Sequence, residues 1–125
     1  KTYQDLGKKI AALKNDVVRH VRKLKQQGKR IVGYGAPAKG NTLLNYYGIG
    51  TDVLECLTDG LPSKIGRYAP GTRIPVVERR TVENNPPDAY FLLAWNYKDS
   101  ILEQEKEFRA RGGVFIMPVG RQREV

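Results

Sequence analysis

The sequence predicts an α/β fold: a short, mostly parallel sheet covered by helices on both faces, with an N-terminal helix leading into it. Three observations carry that prediction. Strand-like and helix-like patterns alternate along the chain. The strand-like pieces are short and nearly uniformly apolar, as strands covered on both faces must be. One of them, residues 30–34, runs into glycines at Gly33 and Gly35 just before a helical pattern begins, the handover at which a helix N-terminus can receive an anion.

The first helix follows from Leu6, Ile10, Leu13, Val17, Val21 and Leu24, whose spacings of three and four draw one apolar stripe, with lysines and arginines around the remaining face. Gly28 ends it. Residues 30–34 form the first buried strand and residues 39–47 the next helix. A second strand is expected over residues 53–58, closed by Asp59-Gly60, followed by a loop over 61–73 rich in Pro, Gly and basic residues. Residues 74–77 read as a brief extended piece, and a short turn or helix starts at Thr81 and stops at Asn84-Asn85-Pro86-Pro87. Residues 90–95 form a strongly apolar strand, residues 99–111 a helix closed by Gly112-Gly113, and residues 114–117 a last strand stopped by Pro118. This gives a lead-in helix over 1–28, one domain over 29–118 and a polar basic tail over 119–125.

A chain of 125 residues suits one domain with a real core. Twenty-two Lys and Arg against thirteen Asp and Glu leave a formal charge of +9, which favours anionic partners without choosing among them. Cys56 is the only cysteine and sits in an apolar stretch, so no internal disulfide forms, no metal-ligand spacing exists and a cytoplasmic setting is expected. No apolar run approaches the roughly 20 residues of a membrane span. The first residue is Lys1 rather than Met, which reads as a fragment of something larger. His20 lies beside the apolar stripe with no acid or nucleophile near it in sequence, and Cys56 reads as a packing residue. No residue makes a convincing general base, so no catalytic residue is expected.

Chemistry therefore concentrates in the glycine loop. Gly33 and Gly35 would let backbone amides approach a phosphate or ribose, the following helix would add its positive end, and Lys39 a point charge, with Asn41 or Thr42 adding a hydrogen bond. The spacing matches neither standard fingerprint. Position 38 is alanine where G-x-G-x-x-G needs its third glycine, and Lys39 precedes Gly40 where a triphosphate loop needs the reverse. The plain alternative is that these glycines merely permit a tight turn. Other candidates end at the same carboxyl rim of the sheet, where open α/β folds bind ligands. Asp59 would reach a ribose hydroxyl, Lys64, Arg67 and Tyr68 follow in the next loop, and Trp95-Asn96 offer an aromatic face and an amide.

The stretch Val32-Gly33-Tyr34-Gly35-Ala36-Pro37-Ala38-Lys39-Gly40-Asn41-Thr42-Leu43-Leu44-Asn45 closely resembles the signature of the C-terminal domain of SAM-dependent nucleotide-sugar C-methyltransferases. The resemblance continues through Thr58-Asp59, Lys64, Gly66-Arg67-Tyr68, Pro70-Gly71-Thr72, Ile74-Pro75-Val76, Pro87-Asp88, Leu92-Leu93-Ala94-Trp95-Asn96 and Phe115-Ile116-Met117-Pro118. It implies a Rossmann-like domain that holds a pyrimidine nucleotide-linked deoxysugar for a catalytic SAM domain of the same parent chain. SAM and zinc would belong to parts of that parent outside this chain, and no cofactor or metal is expected here. By the same resemblance Gly33, Tyr34, Gly35, Ala36, Lys39, Gly40, Asn41, Asp59, Lys64, Arg67, Tyr68, Trp95 and Asn96 would line the substrate side. One departure is Gly60-Leu61-Pro62, where relatives carry Arg-Asn-Pro, which removes two polar contacts from the nearest loop.

Two other classes compete. A basic nucleic-acid-binding module would interleave aromatics with its charges, and the first helix has none between Tyr3 and Tyr34. A Rossmann-like oxidoreductase fragment is disfavoured by the loop spacing. No membrane or nucleic-acid partner is expected.

Overall fold

The computed structural model describes residues 3–60 and 64–125, with side chains described from Gly7 onward. Leu6, the first member of the helical stripe, and Leu61-Pro62 of the departing loop lie outside the described side chains. Eleven segments follow in order: α1 (Tyr3–Gln26), β1 (Ile31–Tyr34), α2 (Ala38–Tyr47), β2 (Leu57–Asp59), β3 (Val76–Glu78), α3 (Arg79–Glu83), β4 (Ala89–Leu92), a single 3-10 turn (Trp95–Tyr97), α4 (Lys98–Gln104), α5 (Lys106–Ala110) and β5 (Val114–Ile116).

The five strands form one parallel sheet in the order β3-β2-β1-β4-β5. That order makes the fold Rossmann-like, with its topological switch between β1 and β4. Strand alternation splits the core into two faces. Ile31, Phe91 and Ile116 point to a cluster with Val17 and Val21 of α1 and Leu44 and Tyr47 of α2. Val32, Tyr34, Tyr90, Leu92 and Phe115 point the other way, to Val82 of α3, Ile101 of α4 and Phe108 of α5. The sheet is thus the middle of three layers.

The helices and strands fall near where the pattern put them, with four differences. The strand expected over residues 90–95 ends at Leu92, and Trp95 opens the 3-10 turn instead. Val53 and Leu54 belong to a turn after α2 rather than to β2, their amides both donating to the Gly50 carbonyl. Both are buried, so an apolar run that plugs the core from a turn looks like a strand in sequence. The helix expected over residues 99–111 divides at Glu105, whose backbone is out of helical geometry and whose carboxylate accepts from the Tyr34 hydroxyl at 2.8 Å. The polar residues after Pro118 fold back on the sheet. Phe115 and Val125 exchange main-chain bonds of 2.8 and 2.9 Å, covering the outer edge of β5. Arg123 anchors this segment to the Met117 carbonyl and to Asp16 on α1.

Candidate functional site

β1 ends at Tyr34, and the chain turns through Gly35, Ala36 and Pro37 into α2. Gly35 takes φ of 88°, a left-handed conformation that strains other residues, and a Cβ there would sit 3.2 Å from Ala94 Cβ. Its amide points to the Thr58 hydroxyl, 3.5 Å away, and that hydroxyl donates to the Gly33 carbonyl at 3.4 Å. Thr58 is fully buried and braces the end of β1 against β2. Pro37 opens α2 with no side-chain cap and no acidic residue in the first turn. The first intrahelical bond runs from the Asn41 amide to the Pro37 carbonyl at 3.0 Å, which leaves the amides of Ala38, Lys39 and Gly40 ahead of it, at the helix end that follows β1.

The structure divides the predicted site residues into two groups. Gly33, Tyr34 and Gly40 are packing residues. Gly33 donates its amide to Cys56 inside the sheet, and a Cβ on it would come within 2.3 Å of Leu57 Cδ2. Gly40 lets α2 lie against β4, since a Cβ there would be 2.9 Å from Leu93 Cβ. This is the close helix–strand contact that the third glycine serves in dinucleotide folds, reached two positions later. Tyr34 points into the α3–α5 face, edge-on to Tyr90 at 5.1 Å between ring centroids. Burial first, then the Glu105 carboxylate, push its hydroxyl far above the ordinary tyrosine range. The same causes raise Tyr90 to about 12.

The second group stays at the rim. Gly35, Ala36, Lys39 and Asn41 come from the turn and the first part of α2, and Asp59 from the end of β2. Lys64 reaches back across the sheet end: its Nζ donates to the Ala36 carbonyl at 3.0 Å and lies 3.8 Å from Asp59 Oδ2. The loop after β2 is thereby tied to the turn after β1. Asn41 has a buried Oδ1 with no hydrogen-bond partner among the described residues. Trp95 begins the 3-10 turn beyond β4, half-buried against the α3–α5 face, and Asn96 beside it is exposed. Arg67 and Tyr68 are exposed on the loop, whose main chain meets Pro75 through an antiparallel bridge at Tyr68.

Sequence reasoning missed two residues here. Thr58 stood inside an expected strand and gave no sign that its hydroxyl was spoken for at both ends. Arg79 follows β3 directly and lines a cleft of about 480 Å³ with Gly60, Ile65, Glu78, Arg80 and Glu83. The signal available was a pair of arginines placed just after an extended piece, at the same carboxyl rim.

The remaining candidates are structural. His20 Nε2 lies 2.5 Å from the Glu124 carboxylate and joins α1 to the folded-back segment. Cys56 is half-buried, and burial, then the nearby Glu55 carboxylate, push its thiol up to about 11. No group of three or more His, Cys, Asp or Glu that could hold a metal occurs among the described residues. No helix among them is long and apolar enough to cross a membrane.

The profile of the family described as "C-methyltransferase C-terminal domain" matches residues 1–120 of this chain. Among curated proteins, the C-methyltransferase NovU of Streptomyces niveus is 36% identical over 123 residues, which is 98% of this chain and 29% of NovU. The chain therefore spans less than a third of that relative's length.

Proposed function

This chain belongs to the C-methyltransferase C-terminal domain family, and from that premise we propose that it is the substrate-holding domain of a SAM-dependent C-methyltransferase. Its ligand in this reading is a pyrimidine nucleotide-linked deoxysugar, held at the carboxyl rim for a catalytic SAM domain of the parent enzyme. The observation that carries the reading is the shelf at the switch point. There the uncapped first turn of α2, which carries Lys39, and Asn41 Oδ1, buried with no partner among the described residues, adjoin a turn fixed by Lys64.

Each part suits one piece of such a ligand. The α2 amides and Lys39 offer positive charge to a phosphate. Asn41 Oδ1 accepts a hydroxyl or N–H, which removes the penalty of leaving it unpaired. Trp95 offers an apolar face to a base or sugar ring.

In the parent reaction, a base outside this chain removes a proton next to a keto group of the sugar, and the resulting enolate attacks the methyl group of SAM. This domain contributes position rather than chemistry. Position matters because a misplaced reacting carbon forfeits much of the advantage of bringing the reactants together.

Titration of the chain with dTDP, with a dTDP-sugar and with SAM, followed by backbone amide shifts, tests the reading. Shifts over residues 35–41 and at Trp95 are expected with the two nucleotides and none with SAM. Saturable SAM binding with no nucleotide response would overturn it. Salt-sensitive binding of short oligonucleotides with no response to dTDP would make a nucleic-acid module the better description.

A further inference from the structure

Resting on the nucleotide-sugar reading above, we propose that Arg79 is a phosphate-binding residue of the same rim, its guanidinium receiving an oxyanion of the substrate's diphosphate in the cleft beside Gly60 and Ile65. Arg79 follows β3 directly, and its cleft also meets the end of β2 at Gly60. Ligands of open α/β sheets bind outside the carboxyl ends of the strands, which is where this cleft lies.

The guanidinium is held in advance of any ligand. Its carbon stands 5.1 Å from the Tyr34 ring centroid. Tyr34 is itself fixed by its 2.8 Å hydrogen bond to Glu105 and by edge contacts with Tyr90 and Phe115. A cation over an aromatic ring is held by the ring's electrostatic field, an attraction that uses none of the guanidinium's hydrogen-bond donors.

Arg79 Nε is buried with no hydrogen-bond partner among the described residues. Glu78 and Glu83 line the same cleft, yet neither forms an ion pair with Arg79 or Arg80 among the described residues. A buried N–H without an acceptor is costly, and an oxyanion supplies the acceptor with the geometry a guanidinium matches best.

The two carboxylates shape the selectivity. They disfavour a free anion arriving alone. A phosphate tethered to a nucleoside already seated on the neighbouring shelf arrives at high effective concentration and overcomes that opposition.

The Nε–H resonance of Arg79 in ¹⁵N-labelled chain reads the contact directly and needs no variant. We expect it to move on titration with dTDP. Arg79→Gln should weaken dTDP roughly tenfold or more, the loss of a charge-assisted hydrogen bond, while thymidine, which lacks phosphate, is unaffected. Arg79→Lys should fall between, since it keeps the charge and loses the fork. A wild-type chain that binds dTDP with Arg79 Nε–H unmoved, or Arg79→Gln binding dTDP as tightly as wild type, overturns the inference and leaves the substrate-holding reading standing. A wild-type chain that ignores both dTDP and a dTDP-sugar overturns the substrate-holding reading, and the role of Arg79 falls with it.

Discussion

Replacing Gly40 by alanine tests whether the late glycine of the loop is there for packing. A Cβ at this position lies 2.9 Å from Leu93 Cβ, and 3.3 Å from both Leu93 Cδ2 and the Leu93 carbonyl oxygen. Carbon atoms in contact prefer about 3.5–4.0 Å. The gap is therefore short by roughly 0.6 Å or more at an atom that cannot swing aside, because Leu93 Cβ is fixed to the backbone following β4. Either α2 moves outward or the end of β4 bends. Overpacking of this kind costs about 1–3 kcal/mol. Alanine returns at most about 0.5–1 kcal/mol through lower backbone entropy in the helix. The net expectation is a loss of about 0.5–2 kcal/mol, a fall of roughly 2–8 °C in Tm for a domain of this size.

Gly7 supplies the control. It is also a helical glycine, but it is exposed on α1, and a Cβ added there would meet nothing within 4 Å. Gly7→Ala should therefore raise stability, by no more than about 0.5–1 kcal/mol. Thermal and urea unfolding of the two variants measure the difference in sign. Gly40→Ala at or above wild-type stability would refute the packing role. Because any outward shift of α2 carries its first turn with it, dTDP affinity should fall together with Tm.

Cys56 should resist alkylation by iodoacetamide at pH 8, since a thiol held near 11 by burial and by Glu55 is about one part in a thousand thiolate there. The rate should climb as the pH approaches 11, and fast labelling at pH 7 would contradict the burial argument. The Asp52 carboxyl is held below its ordinary value by the Arg22 side chain, which donates to it at 2.9 Å. A depressed folded value means the contribution is present above about pH 4 and is lost as the pH falls through that lower value. Both side chains are well exposed, so Arg22→Ala should cost at most about 1 kcal/mol at pH 7 and less at pH 2, measured by urea unfolding at the two pH values.

Elements whose residues all share one constraint were legible in the sequence. α1 shows its stripe because Val17 and Val21 bury one face while the rest meets water. β1 and β4 read as continuous apolar runs because both of their faces are covered. Legibility failed where a residue serves an element it does not belong to. Val53 and Leu54 fill the core from a turn, so their hydrophobicity carried no information about the strand. Glu105 interrupts a helix whose periodicity continues past it, in company with a tyrosine seventy-one residues away in sequence. The residues after Pro118 are as polar as a free tail, and what holds them is main-chain pairing with β5 together with contacts of Arg123 and Glu124 to α1, partners far away in sequence. Lys64 was visible as a basic loop residue, but its span back to Ala36 depends on how two loops meet in space.

The glycine motif shows why a signature identifies a family more readily than it identifies contacts. Gly33, Gly35 and Gly40 are each required for a different reason: passage of Leu57 and Leu93 over β1, a left-handed turn, and the approach of α2 to β4. Only the second of these shapes the rim. A motif can be specific because several packing demands coincide within a dozen residues, and a ligand need touch few of them. The groups proposed to face the ligand are the ones packing does not explain. Asn41 Oδ1 and Arg79 Nε are buried without partners among the described residues, although native proteins pair nearly all such atoms. Asn41 lies inside the motif and Arg79 nearly forty residues beyond it, on a strand end that only the β3-β2-β1 order brings to the same rim. The proposed site therefore rests on unpaired polar atoms at the carboxyl edge of the sheet rather than on membership of the glycine run.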